Sequence, residues 1–179
     1  MLAVVGVGVL AALAALAAQA ADTRGDDMAA DRLPPGPARE KRPGILAGLT
    51  PTARAAAEEL DRLAQAAGLP ALTWTSGRRT NVEQAAAMLS KVSRGENLFD
   101  LYKSAHDTLN ALFATERTPA AWAAVLATRP PLSRHLTGEA VDVRRWGLTS
   151  GELYRLGELA IAAGWRRALL ESDHLHLQL

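Results

Sequence analysis

The sequence contains no cysteine, so disulfide bonds, thiolate metal sites and cysteine nucleophiles are all excluded. Any metal ion must therefore be held by histidine, aspartate or glutamate. The chain also lacks an excess of either charge, with 20 Lys and Arg, 19 Asp and Glu, and a net charge of +1. This balance gives no electrostatic reason to expect a nucleic-acid partner. With 179 residues the chain has room for one ordinary domain, which we expect to be monomeric.

The first 21 residues lack charged side chains altogether and form a uniformly apolar, alanine-rich run. The run closes with Ala18-Gln19-Ala20, a small-x-small pattern of the kind that signal peptidase cleaves. At roughly 20 residues it is also long enough to span a bilayer uncleaved. Residues 1–21 are therefore predicted to be a signal peptide or a membrane anchor. We expect the protein to be exported to the periplasm or cell envelope, and in the second case to be anchored in the inner membrane.

Residues 22–44 mix both charge signs with four prolines, and we predict a disordered linker there. Residues 45–179 carry helical and strand patterns and are predicted to form one folded domain. Helices come early and strands cluster late, so the predicted fold class is α+β, with a small antiparallel sheet flanked by helices.

Local signals place several of these elements. Helices are predicted to begin at Thr50-Pro51 and at Thr149, because threonine caps a helix start well. One continuous helix is predicted over residues 99–113. Short strands are predicted at residues 72–75, 140–143, 165–170 and 175–179.

Histidine is scarce, and three of the four histidines fall in two short segments that also contain acidic residues. In the first segment, His135 lies on a predicted loop that leads into the strand carrying Asp142, and a turn at Gly138 could bring both side chains to one metal ion. Asp142 is flanked by two valines, and its burial would be costly unless it is paired or binds a cation. A loop histidine and a strand-edge aspartate without any metal are the alternative interpretation.

The second segment contains His174 and His176, which project from the same face of a strand, whereas Leu175, Leu177 and Leu179 point into the core. Two imidazoles at this spacing can share a metal ion, although a His-x-His also occurs on solvated strand faces. Together the two segments supply three protein ligands, an open position for water and spare titratable groups, as a catalytic zinc requires. The sequence therefore predicts that the sheet carries a Zn²⁺ site.

Three stretches resemble the signatures of the D-Ala-D-Ala metallopeptidases, a family of zinc D,D-carboxypeptidases, dipeptidases, cell-wall endopeptidases and phage endolysins. Ser133-x-His135-x-x-Gly138-x-Ala140-x-Asp142 resembles the first signature, and Asp173-His174-x-His176 resembles the second. Upstream, Ser76-Gly77-Arg78-Arg79-Thr80 with Glu83-Gln84 is similar to the family's Ser-Gly-Tyr-Arg-Ser stretch and its trailing Glu-Gln. The matches follow the family's order over residues 74–179. The resemblance implies a hedgehog-like zinc fold that hydrolyses a peptide bond in bacterial peptidoglycan.

The resemblance also implies roles for single residues. Zn²⁺ would be bound by His135, Asp142 and His176, and His174 would be a catalytic residue beside the attacking water. Some family members instead have the liganding histidine three residues after a glutamate, as His174 follows Glu171, so His174 is the alternative third ligand.

Glu171 is the implied general base, with Asp173 as the alternative. Arg79 would neutralise charge on the scissile carbonyl or on a substrate carboxylate, and Arg78 departs from the family's tyrosine, which leaves substrate packing there open. Ser133 and Gln84 are expected to contact substrate, and Ser133 also to orient a ligand.

The predicted function is therefore zinc-dependent hydrolysis of a peptidoglycan stem peptide, of D,D-carboxypeptidase or D,D-endopeptidase type. One alternative is a non-hydrolytic, zinc-containing peptidoglycan-binding module. The other is a phage-derived L-Ala-D-Glu endolysin.

Overall fold

The computed structural model describes residues 32–179, so the signal peptide or anchor predicted at residues 1–21 lies outside the described residues. Across the part of the chain that is described, no helix is both long and apolar enough to cross a membrane. The chain divides into two compact units. The sheet unit comprises the described residues up to Gly77 together with Glu139–Leu179, and the helical unit comprises Arg78–Gly138.

Five strands form a single sheet in the sheet unit. They are β1 (Arg39–Glu40), β2 (Thr73–Ser76), β3 (Ala140–Arg144), β4 (Arg167–Leu170) and β5 (His174–Gln178). The strand order across the sheet is β1-β2-β3-β5-β4. Three neighbouring pairs are antiparallel, but β1 and β2 are parallel. The α+β class is therefore confirmed, whereas the prediction of a purely antiparallel sheet is wrong at one edge.

The parallel edge strand comes from the segment predicted to be a disordered linker. The amides of Arg39 and Lys41 donate to the carbonyl oxygens of Leu72 and Trp74, at 2.9 and 2.8 Å. Residues 32–44 thus belong to the sheet unit, and the pairing of β1 with β2 extends that unit upstream of residue 45.

Seven helices lie within residues 32–179. They are α1 (Pro51–Ala66), α2 (Asn81–Ser93), α3 (Leu98–Leu101), α4 (His106–Phe113), α5 (Pro119–Ala127), α6 (Arg134–Thr137) and α7 (Ser150–Ala162). Helix α1 connects β1 to β2 and supplies the crossover that parallel pairing requires. Both predicted helix starts are confirmed: Thr50 caps α1, and Thr149 and Glu152 form a capping box at α7.

One predicted helix of the helical unit is interrupted in the structure. The continuous helix expected over residues 99–113 is two helices, α3 and α4, because Tyr102 leaves helical geometry at φ −118° and ψ 54°. The apolar spacing continues across the break, which is why the sequence did not reveal it. Helices α2 to α5 enclose a separate apolar core around Met88, Leu109 and Trp122, each fully buried.

The core of the sheet unit lies on one face of the sheet. Val141 and Val143 of β3 and Leu175 and Leu177 of β5 are fully buried there, together with residues of α1 and α7. Because side chains alternate along a strand, the residues between them lie on the opposite face, which we call the second face. It carries Asp142, Arg144, His174, His176 and Gln178.

Acidification should weaken the link between residue 32 and helix α7. The hydrogen bonds that Arg32 donates to both carboxylate oxygens of Glu152, at 2.9 and 2.6 Å, are the main reason why the pKa of Glu152 lies below its ordinary value of 4.5. A carboxyl group whose pKa is lower in the folded state stabilises the fold above its unfolded-state pKa, and this contribution disappears as the pH falls through the folded-state pKa. E152Q should therefore lower the urea midpoint at neutral pH, and the difference from the parent protein should shrink below pH 4.5.

The matched control is E158Q on the same helix, because among residues 32–179 the carboxylate of Glu158 pairs with the exposed Arg155, at 3.1 Å. That change should alter the free energy of unfolding little, as surface ion pairs contribute less than about 1 kcal/mol. A difference between E152Q and the parent protein that persists unchanged down to about pH 3 would contradict the assignment.

Candidate metal centre

The pairing of β3 with β5 brings three of the predicted residues together on the second face. Asp142 lies opposite His176, and Arg144 lies opposite His174. Nδ1 of His176 is 2.8 Å from Oδ1 of Asp142, and Nε2 of His174 is 3.3 Å from the same oxygen. The Asp142 side chain is only 2% exposed, so its carboxylate has little access to water and needs these partners.

The turn between β4 and β5 adds an acidic group to the two histidines. Oε2 of Glu171 lies 3.4 Å from Nε2 of His174, and one ligand atom from each of Glu171, His174 and His176 lies within 4.8 Å of the others. Asp173 is exposed, and its Oδ1 is 2.6 Å from Nδ1 of His174. His174 therefore contacts a carboxylate through each of its ring nitrogens.

The turn is held in place from both ends. The amide of Glu171 donates to the carbonyl oxygen of His174 at 2.8 Å. Nη1 of Arg145, the residue after β3, donates to the carbonyl oxygens of Glu171 and Ser172, at 3.2 and 3.3 Å. This role of Arg145 is not evident from the sequence, because the two segments come together only on folding. The one local signal was a second arginine directly after the strand that carries Asp142.

Electrostatics couple His176 to the acidic groups beside it. Burial by itself lowers the pKa of His176, but the hydrogen bond and negative charge of Asp142 and the charge of Glu171 oppose it, so the pKa lies above its ordinary value of 6.5. The second ring nitrogen of His176 lies 3.2 Å from Oε1 of Gln178. The carboxylate of Asp142, 2.8 Å from Nδ1 of His176, is therefore the main group that favours the charged form of the imidazole.

The helical unit holds the other predicted residues. His135, expected on a loop, lies instead in the one-turn helix α6 and is 2% exposed. Its amide donates to Oγ of Ser133 at 3.3 Å, so Ser133 caps this helix. Gly138 ends the helix in the left-handed region at φ 74°, where glycine is favoured, which confirms the predicted turn.

Arg79 and Gln84 contact each other beside that helix. The amide of Arg79 donates to the carbonyl oxygen of His135 at 2.9 Å, and Nη1 of Arg79 donates to Oε1 of Gln84 at 3.3 Å. The Gln84 amide donates in turn to the Tyr102 hydroxyl at 3.2 Å and is completely buried. Tyr102, at the unexpected helix break, is a second residue whose role is not evident from the sequence, since no local pattern marks its contact with Gln84.

The two units thus divide the predicted residues between them. The sheet unit gathers Asp142, Glu171, His174 and His176, and the helical unit gathers Arg79, Gln84, Ser133 and His135. In the sheet unit the donor atoms are imidazole nitrogens and carboxylate oxygens, which suit Zn²⁺ and other first-row divalent ions. The residues present therefore fit a divalent metal, and no thiolate or other donor is needed.

Comparison of the chain with protein-family models, with curated proteins and with solved structures finds no match.

Proposed function

We propose that this chain is a zinc-dependent peptidase that hydrolyses a peptide bond in the stem peptides of bacterial peptidoglycan, of D,D-carboxypeptidase or D,D-endopeptidase type. The observation that carries the proposal is the cluster of Asp142, Glu171, His174 and His176 on one face of the paired strands. Two imidazoles and two carboxylates provide ligands and leave titratable groups for proton transfer, a combination that catalytic zinc sites use. The resemblance to three ordered metallopeptidase signatures supports the same reaction class.

We assign the zinc ligands to His135, Asp142 and His176, with His174 as the alternative third ligand. The close approach of His176 to Asp142, at 2.8 Å, supports a shared role for these two residues. His135 enters on the sequence signature, in which it precedes Asp142 by seven residues. When bound, a zinc ion supplies a Lewis acid that polarises the substrate carbonyl and makes a water molecule more acidic.

The remaining groups of the sheet unit provide the proton transfers. Glu171 accepts a proton from the attacking water while the oxygen of that water bonds to the carbonyl carbon. Glu171 then delivers the proton to the amine, which leaves as the C–N bond breaks. His174, 3.4 Å from Glu171, donates a hydrogen bond to the negative charge that develops on the carbonyl oxygen. Asp173 keeps the His174 ring oriented from its other nitrogen, at 2.6 Å, and is the alternative base.

Arg79 is proposed to neutralise the charge of the substrate carbonyl or of a substrate carboxylate. Its guanidinium is held by Gln84, whose amide is fixed in turn by Tyr102. Both Gln84 and Ser133 were predicted to contact substrate. Because Gln84 is completely buried, we assign it instead to the positioning of Arg79. Ser133 caps α6, and we propose that it positions His135 in addition to its predicted contact with substrate. The apolar run over residues 1–21 supports export to the cell envelope, where peptidoglycan is the substrate at hand.

The alternative functions use the same residues differently. A peptidoglycan-binding module would need a metal site but no general base, so the contact of Glu171 with His174 favours the hydrolase. An L-Ala-D-Glu endolysin would use the same chemistry on another bond of the stem peptide.

Incubation of the zinc-loaded protein with purified muropeptides tests the proposal. Mass spectrometry should detect loss of a terminal D-Ala or separation of a D,D-cross-link, a chelator should abolish the reaction, and added Zn²⁺ should restore it. Cleavage between L-Ala and D-Glu would favour the endolysin alternative. Muropeptides that all stay intact in the presence of zinc would refute hydrolysis.

A further inference from the structure

A groove in the sheet unit lies beside the candidate metal centre and is lined by two arginines. Arg39 comes from the edge strand β1, and Arg144 is the last residue of β3. The groove is also lined by Thr73 and Trp146, by Leu33, and by residues 70–72 and 147–148. None of these residues belongs to the cluster of Asp142, Glu171, His174 and His176.

Neither guanidinium in this groove has an acidic partner among residues 32–179. Arg39 donates one hydrogen bond, from Nε to Oγ1 of Thr73 at 3.4 Å, and the side chain of Arg144 makes no hydrogen bond to any described residue. Arg32, by contrast, is paired with Glu152, with Nη2 of Arg32 2.6 Å from Oε1 of Glu152. Two cations that line one groove repel each other unless an anion lies between them, and the guanidinium fork matches the two oxygens of a carboxylate.

The register of the sheet sets the distance from this groove to the metal centre. Arg144 lies directly opposite His174, so their Cβ atoms are about 4.5–5.5 Å apart. Asp142 lies two residues before Arg144 on the same face, a span of about 6.6 Å along the strand. Since one residue of an extended peptide covers about 3.3–3.6 Å, a group held by Arg144 lies one or two residues away from a bond at the metal centre.

Trp146 gives the groove an apolar wall. Its side chain is 42% exposed, and the guanidinium of Arg145 lies 5.7 Å from its ring centre, which limits the positions the indole can take. The indole therefore offers an apolar surface beside the two guanidinium groups.

We propose that Arg39 and Arg144 bind a free carboxylate of the substrate peptide, on a residue one or two positions from the bond that is cut. The inference rests on the proposed hydrolase function and adds the substrate feature that is recognised. Stem peptides suit it, because they carry free carboxylates on amino acids close to the D,D-bonds. Arg144 is then a specificity-determining residue, and it acts on binding without taking part in proton transfer.

Binding measurements with a matched set of peptides test the inference. The probes are a synthetic stem pentapeptide and forms of it in which one free carboxylate at a time is converted to the amide. Isothermal titration calorimetry on the full-length, zinc-loaded E171Q variant measures the affinity for each peptide, because this variant is expected to bind the peptide without hydrolysing it. We expect one amidated peptide to bind about tenfold or more weakly, since a charge-assisted hydrogen bond is lost. R144Q should weaken binding of the parent pentapeptide by a similar factor and abolish the preference for the free carboxylate.

R167Q is the matched control, because Arg167 lies opposite Gln178, at the other end of β5. It should leave both affinities unchanged, and R144K, which keeps the charge without the fork, should retain part of the preference. The inference is overturned if folded, zinc-containing R144Q still prefers the free carboxylate as strongly as its parent. Failure of the hydrolase proposal would show separately, as zinc-loaded protein with Glu171 intact that leaves every muropeptide uncut.

Discussion

Replacement of Glu171 by glutamine is expected to lower the rate of stem-peptide hydrolysis by about 100- to 10,000-fold while leaving the zinc content unchanged. Glutamine has the same size and can still occupy the turn, whose main chain is held by His174 and Arg145. It cannot accept the proton of the attacking water, so the loss should fall on the chemical step. Initial rates by liquid chromatography of muropeptides, with metal content by mass spectrometry on the same samples, give both readouts.

D173N is the control for this prediction. Asp173 is exposed and contacts the far nitrogen of His174, at 2.6 Å, so its loss should reduce the rate less than tenfold if it only orients the ring. A larger loss of rate in D173N than in E171Q would make Asp173 the general base and Glu171 the residue that orients His174. If E171Q and D173N both keep the full rate, neither carboxylate is the general base, and the proposed proton transfer is wrong.

Replacement of Asp142 by asparagine is expected to weaken zinc binding by about 100-fold or more. Loss of a residue that only hydrogen-bonds to a metal ligand typically weakens metal binding by about 10- to 100-fold, and loss of a ligand should cost more. The carboxylate is 2% exposed and faces both imidazoles, at 2.8 and 3.3 Å. Asparagine keeps the shape of the side chain but removes the negative charge that a divalent cation needs in a buried site. Competition with a chromophoric chelator measures the affinity, and hydrolysis should fall in parallel.

The control is D107N, because Asp107 is an exposed carboxylate in the first turn of α4. It should bind zinc as the parent protein does. If D142N binds zinc with undiminished affinity, Asp142 is not a ligand. The ion is then held by Glu171, His174 and His176, whose donor atoms all lie within 4.8 Å of one another. The same titration on H174A and H176A identifies the third ligand, which we expect to be His176.

Much of the fold follows from local signals in the sequence. Thr50 and Thr149 mark helix starts because a cap is decided within four residues, and the alternation of apolar residues marks β3 and β5. Strand β1 was missed because its stability comes from pairing with residues more than thirty positions away, at Thr73 and Trp74. Tertiary pairing of this kind leaves no local pattern.

The candidate site was predictable to a similar degree. The alternation along each strand correctly separated Asp142, His174 and His176 from the residues of the core. The contact between Asp142 and His176 depends on register, which links two distant segments and cannot be derived from either alone. For the same reason the hydrogen bonds of Arg145 to the turn were not foreseen.

The register that places the imidazoles beside Asp142 is protected by the hydrophobic core. Leu175 and Leu177 alternate with His174 and His176, so a slip of β5 by one residue would turn both histidines into the core and both leucines out of it. Exposure of two buried leucines alone costs about 3–6 kcal/mol, a large part of the stability of an ordinary domain. A misaligned strand is therefore rejected by the folding equilibrium itself, and molecules with a misassembled cluster should be rare among those that fold.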